Sequence, residues 1–162
     1  MNVGAWMRGN LSTQGYCLSD AERRELAVGL RFSTGLCLAL VVTALALRSA
    51  PMLFALAGVG AVAGYAARHP FDHLWNGGVR HLVGGPALPP SPAFRRYSFR
   101  VAAVWLLVVG ALLGAGATTV ALAFGGLLIA ACATVTATNL CLPSETFAWL
   151  ERRREHKPPV TP

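Results

Sequence analysis

Three histidines, an aspartate, an arginine and a tryptophan fall within fourteen residues, HPFDHLWNGGVRHL, running from His69 to Leu82. Side chains of these types can hold a metal ion: His69, Asp72, His73 and His81 together would supply the three or four converging ligands of a zinc-type site. Each neutral imidazole would also need a partner on its other ring nitrogen to fix its orientation. The spacing matches no dedicated ligand pattern, and Pro70 argues against one continuous helix presenting His69 and His73 on the same face. The competing reading is a watery interfacial loop, where headgroups accommodate imidazoles without any metal.

Thiol chemistry is the second candidate. Cys17 and Cys141 lie in the similar strings YCLSD and LCLPS, where a reversible pair could act at the cytoplasmic face; a reducing compartment argues against a permanent disulfide. No adjacent cation or helix N-terminus that would activate either thiol can be read from the sequence. Cys37 and Cys132 fall inside apolar runs, where an unpaired cysteine behaves as a small hydrophobe.

The elements that must position these groups follow from composition. Of 162 residues 54% are hydrophobic and only 13% charged, an unusual balance for a water-soluble domain of this size. From Phe32 to Ala67 the only charge is Arg48, and the forty-four residues from Val101 to Ser144 carry none. A crossing helix takes roughly 20 apolar residues, so each block predicts two crossings. The turn-type clusters Arg48-Ser49-Ala50-Pro51 and Gly114-Ala115-Gly116-Ala117 divide them. Transmembrane helices are therefore expected near 32–48, 51–67, 99–115 and 118–140. The first is short, with sixteen residues between Arg31 and Arg48, about 24 Å at 1.5 Å per residue. The competing reading, buried helices of a soluble protein, fares badly on the uncharged run, because such helices normally carry charges on their outer faces.

The predicted fold is thus an all-α integral membrane protein, two helical hairpins with short amphipathic cytoplasmic helices. Its parts are an N-terminal segment with a lead-in helix (1–30), a first hairpin (31–67), a loop with an interfacial helix and a Pro-rich linker (68–98), a second hairpin (99–141) and a basic tail (142–162). Thirteen of the fourteen Lys and Arg residues lie on one side of this arrangement, which the positive-inside rule assigns to the cytoplasm together with both termini. Tyr65, Phe71, Trp75, Phe94, Tyr97, Phe99 and Trp149 gather at the same interface, where amphipathic rings prefer to sit. Met1 to Asn10 has no basic region followed by an apolar core, so no cleaved signal peptide is expected.

Local signals refine this. Ser19 and Glu22 fit a capping box that starts the lead-in helix. Pro70 suits a first helical position, Asp72 a first turn, and Asn76-Gly77-Gly78 a stop. They predict a short interfacial helix with Phe71, Leu74 and Trp75 apolar and Asp72, His73 and Asn76 polar. Pro86, Pro89, Pro90 and Pro92 make an extended spacer. The two hairpins, about 69 residues apart, hint at a duplicated unit. Gly60 with Gly64, and Gly110 with Gly114, present small faces for helix packing. In the tail, Trp149 with Arg152, Arg153 and Arg154 suits contact with anionic headgroups of the inner leaflet. Nucleic acid is not an expected partner, since this basic cluster is short and carries Glu151 and Glu155; a protein partner or a second copy is. No cofactor is expected. With no ionisable residue at mid-membrane, a proton-coupled transporter is disfavoured, and Thr134, Thr136, Thr138 and Asn139 are expected to bond neighbouring helices.

The stretch HPFDHLWNGGVRHL, the apolar helix pair after Arg100 and the string NLCLPSE (Asn139–Glu145) resemble an uncharacterised family of small bacterial inner-membrane proteins, described as a domain of unknown function. The resemblance covers roughly residues 22–150 and implies four helices, a central HP-aromatic loop and a closing cysteine motif. Relatives often close with C-L-G-C, whereas here Cys141 is followed by Pro143 and Ser144, so the second thiol is missing. No established activity comes with the resemblance. The expected role is a non-enzymatic accessory or scaffold in the cytoplasmic membrane; the alternative is a thiol- or metal-dependent redox protein.

Overall fold

A computed structural model describes residues 10–12 and 14–155; the side chains of Arg152, Arg154 and Glu155 lie outside the described set. The described residues are helical, without strands. The Ser19 box forms as expected: its hydroxyl accepts from Glu22 N at 3.3 Å while the Glu22 carboxylate accepts from Ser19 N at 2.8 Å. It opens α1 (Asp20–Glu25), and a single-residue hinge at Leu26 leads into α2 (Ala27–Ala46). Arg48, at φ 49°, turns the chain back. Ser49 then caps α3 (Ala50–Tyr65), with Pro51 in its first turn, so the break read at Arg48–Pro51 is a tight reversal.

The next segment departs from expectation. Asn76-Gly77-Gly78 does not stop the helix: Pro70–Leu74 passes into a π-turn at Trp75–Val79 and on through Arg80–Val83, together α4 (Pro70–Val83), bent 82° from α3. It ends only at Gly84, whose φ of +67° is left-handed backbone that glycine adopts without a Cβ penalty. The faces also differ from the amphipathic assignment. Asp72 and Trp75 are buried while His73 and Leu74 are exposed, because the helix turns its carboxylate inward to bond α2.

Beyond a Pro-rich connection come α5 (Ala93–Gly114), α6 (Thr118–Thr138) and α7 (Leu142–Glu155). α2, α3, α5 and α6 form a closed ring in which each packs on two neighbours, α3 against α5 most extensively, and α7 lies on α5. Three of these, α2, α5 and α6, are long and apolar enough to cross a membrane, and the bent α3–α4 pair makes a fourth if counted as one span. Val41, Leu45, Leu53, Leu56, Leu106, Val109 and Leu128 fill the bundle. A second cluster at the polar end joins Leu11, Tyr16, Leu26, Leu30, Trp75 and Leu88.

The linker is strapped down rather than merely extended. Trp75 Nε1 donates to Pro86 O (3.0 Å), Leu88 N to Asn76 Oδ1 (2.8 Å), Arg68 Nη1 to Leu88 O (2.8 Å) and Ser91 N to Ala67 O (2.8 Å). These bonds satisfy backbone groups that the prolines leave outside any helix.

Small residues at helix contacts let two backbones approach closely. A Cβ on Gly60 would meet Ala103 Cβ at 3.3 Å, and one on Gly110 would meet the Phe54 ring at 2.9 Å. Gly114, read as a packing residue, instead faces open space. A Cβ on Gly64 would stand 2.5 Å from Arg100 Cγ, 3.3 Å from Arg100 N and 3.4 Å from Arg96 O. Gly64→Val should therefore force α3 from α5 and cost about 1–3 kcal/mol, as overpacking does. Gly114→Ala should leave thermal unfolding in mild detergent unchanged or slightly raised; equal melting temperatures for the two variants would show that the α3–α5 contact is loose.

Candidate functional site

The HPFD start of α4 builds its own cap. A residue before proline is held extended, and His69 sits at φ −65°, ψ 140° with Pro70 beginning the helix. Its Nδ1 accepts the Phe71 N–H at 3.1 Å, while Asp72 Oδ2 accepts the His69 N–H at 3.2 Å. The remaining Asp72 oxygen accepts the Ser33 hydroxyl of α2. One buried carboxylate thus serves α4's first turn and ties that turn to the bundle, each of its oxygens accepting a hydrogen bond as a buried polar group requires.

His69, only 1% exposed, joins three helices. Its ring stands edge-on to Phe99 of α5 at 4.7 Å, and its Nε2 faces Cys37 Sγ of α2 at 3.8 Å. Because Nδ1 is occupied as an acceptor, the neutral ring carries its proton on Nε2 and offers it to sulfur. That geometry does not suit thiol activation, in which Nε2 must receive the proton. Burial pushes the His69 pKa down to about 4; the nearby Arg95 charge lowers it further and Asp72 opposes both.

Arg95 of α5 is buried beside this cluster, with no carboxylate partner among the described residues. Nη1 donates to Tyr16 Oη (2.6 Å) and Nη2 to Leu30 O (3.2 Å), and the guanidinium lies 5.5 Å from the Tyr16 ring centre and 5.6 Å from that of Phe99. Two aromatic faces and a carbonyl stabilise the cation in place of an acid. It draws the segment at Tyr16, the start of α2 and the start of α5 together.

A second polar joint holds α7. Cys141 Sγ donates to Ser98 Oγ (3.1 Å), the Ser98 and Ser144 hydroxyls share a bond of 2.7 Å, and both reach Phe94 O, at 3.2 and 3.3 Å. Phe147 stacks on Tyr97 with ring centres 4.5 Å apart. Ser144, three residues after Cys141, acts here as a hydrogen-bonding group.

The expected sites are redistributed accordingly. His69 and Asp72 point inward while His73 and His81 are exposed, so the proposed four-ligand set does not converge; among the described residues no three His, Cys, Asp or Glu side chains are placed to share a metal ion. Cys17 and Cys141 are both free, one exposed and the other buried, so the structure does not bring them together as a pair. Trp149 is exposed, with the Arg153 guanidinium 4.0 Å above its ring; Arg152 and Arg154 lie outside the described side chains. Sequence reasoning missed Ser33, Ser98 and Arg95, and read Cys37 as a small hydrophobe without its contact to His69. The signal was weak: Arg95 and Ser98 are three residues apart, as are Ala103, Leu106 and Val109 of the buried stripe, the spacing of one helix face, but a five-residue step separates the two sets.

A family model, Domain of unknown function (DUF4395), matches residues 27–152, a range holding α2 to α6, both polar joints and most of α7. No curated protein and no solved structure matches the chain.

The lowered His69 pKa sets a pH dependence. Unfolded, the imidazole titrates near 6.5; folded, near 4. Between these values the unfolded chain binds the extra proton, so stability is fully present above about pH 6.5 and falls by roughly 3 kcal/mol as the pH drops to 4. His69→Gln should flatten that slope in detergent melts taken from pH 7 to pH 4; an unchanged slope would assign the acid sensitivity to another group.

Proposed function

The chain belongs to the DUF4395 family, a domain of unknown function, and we propose that it works as an integral protein of the cytoplasmic membrane. The observation that carries this is the outer surface of α5 and α6. Val104, Leu107, Val108, Val120, Leu122, Phe124 and Leu127 are exposed there, in a stretch without a single charged residue. A surface of this kind is stable against lipid tails and unstable against water.

In the proposed arrangement the protein is multi-pass, α3 crossing by itself over its 16 residues, about 24 Å at 1.5 Å per residue, with both termini and α4 on the cytoplasmic side. The side bearing Arg23, Arg68, Arg80, Arg96 and Arg153 is the one the positive-inside rule retains. Trp149 and Arg153 then meet anionic headgroups at the inner leaflet. The role is that of a non-enzymatic accessory or scaffold. The buried His69–Cys37 contact has its proton on the wrong atom for a thiol nucleophile, and the joints at Asp72, Arg95 and Ser98 are spent on holding helices together. What remains for a partner is the exposed polar end, with His73, Leu82 and Val83 on its surface.

Two measurements test this. After alkaline carbonate extraction the protein should stay in the membrane pellet; release into the supernatant would refute membrane insertion. A membrane-impermeant maleimide should label exposed Cys17 in inverted vesicles and not in right-side-out ones, with the label lost in Cys17→Ser. The opposite pattern would reverse the orientation.

A further inference from the structure

An open groove of about 390 Å³ runs along the outer face where α5 meets α6, lined by Arg100, Val101, Val104, Trp105, Val108 and Phe124. From Arg100 to Val108 it follows α5 for about 12 Å at 1.5 Å per residue. Its floor is apolar because the one mid-groove donor is already used: Trp105 Nε1 donates to Phe124 O at 3.1 Å.

The mouth is cationic. Arg100 Nε donates to Gly64 O (2.8 Å) and the guanidinium lies 4.4 Å from the Tyr65 ring centre, which fixes the group while its two Nη nitrogens have no acceptor among the described residues. Arg96, one helical turn nearer the polar end, has its Nε shielded from solvent with no hydrogen-bond partner. No acidic residue occurs between Asp72 and Glu145, so the chain supplies no carboxylate from α5 or α6 to neutralise this pair. The same shortage means that a second copy pressing its own α5–α6 face here would bring no counter-charge.

We infer that this groove is a binding site for one anionic phospholipid, its phosphate held by Arg100 with Arg96 behind it and one acyl chain laid along Val104, Trp105 and Val108. The inference rests on the membrane reading given above and adds a defined lipid site to it. A guanidinium with two free nitrogens matches a phosphodiester in bidentate fashion. The net positive mouth selects an anionic headgroup over a zwitterionic one, and the apolar floor selects a chain over a free phosphate.

The test uses Trp105 as a reporter. The full-length protein is reconstituted in phosphatidylcholine vesicles containing a small fraction of acyl-brominated phosphatidylglycerol or, in parallel, acyl-brominated phosphatidylcholine. Trp105 fluorescence is isolated by subtracting the Trp105→Phe protein. Half-maximal quenching should need a roughly five-fold lower fraction of the anionic lipid, the preference expected of a basic residue beside anionic headgroups. Arg100→Gln should abolish the difference and Arg100→Lys retain part of it. Equal quenching by the two lipids in the unmodified protein would overturn the site while leaving α5 in the bilayer. Absence of quenching by either would show that this face does not meet lipid, and the membrane reading would fail with it.

Discussion

The carboxylate of Asp72 is the constraint on which the polar end depends. It accepts from Ser33 of α2 and from the backbone of His69, two donors on separate elements, and the residue is itself only 2% exposed. Once that carboxylate is drawn inward, His69 must present Nδ1 to Phe71 and its ring to Phe99, and Trp75, three residues on, must enter the second core. The strap through Pro86 and Leu88 then closes over the indole. Removing either donor would leave a buried charge underbonded, which is far costlier than losing an ordinary hydrogen bond.

This dependence explains what was legible in the sequence and what was not. Signals that act within one turn were readable, since their energetics are local: Ser19 with Glu22, Ser49 before Pro51, and the long uncharged runs. Pro70 and Asp72 were also read correctly as the start of a helix. Their consequence was not, because an N-terminal carboxylate complements the helix dipole whether it faces water or a neighbour. Only Ser33, thirty-nine residues earlier, decides between the two. Gly77 and Gly78 misled for a related reason. Glycines after Asn76 commonly mark a helix end, yet Trp75 and Asn76 are held on either side of the strap, and the chain keeps them there by widening one turn into a π-turn.

The histidines and cysteines show the limit of spacing as a guide to chemistry. Four potential ligands within thirteen residues look convergent on paper, but a helix sends His73 outward as it sends Asp72 and Trp75 inward. Conversely, Cys37 and His69, thirty-two residues apart, meet without any local pattern to announce it. Their contact is polar and close, yet the tautomer imposed by the Phe71 N–H makes the imidazole a donor to sulfur. Proximity of a thiol and an imidazole is therefore a packing solution here, and the chemistry follows from which nitrogen is already engaged.

The three arginines at the start of α5 extend the same argument to charge. Counted along the sequence, Arg95, Arg96 and Arg100 contribute equally to a positive-inside bias. On the helix, Arg95 and Arg100 are about 140° apart at 100° per residue, and their surroundings diverge completely. Arg95 is buried between Tyr16, Phe99 and a carbonyl, and holds the protein to itself. Arg100 emerges beside Gly64, where the missing side chain lets α3 and α5 approach closely enough for its stem to lie against the backbone and its Nε to reach the Gly64 carbonyl. The glycine that permits tight packing is thus also what presents a fixed cation at the head of an apolar groove. A helix that needed only to be retained at an interface could carry its charges at any angle; this one divides them between an internal bond and an outward-facing site.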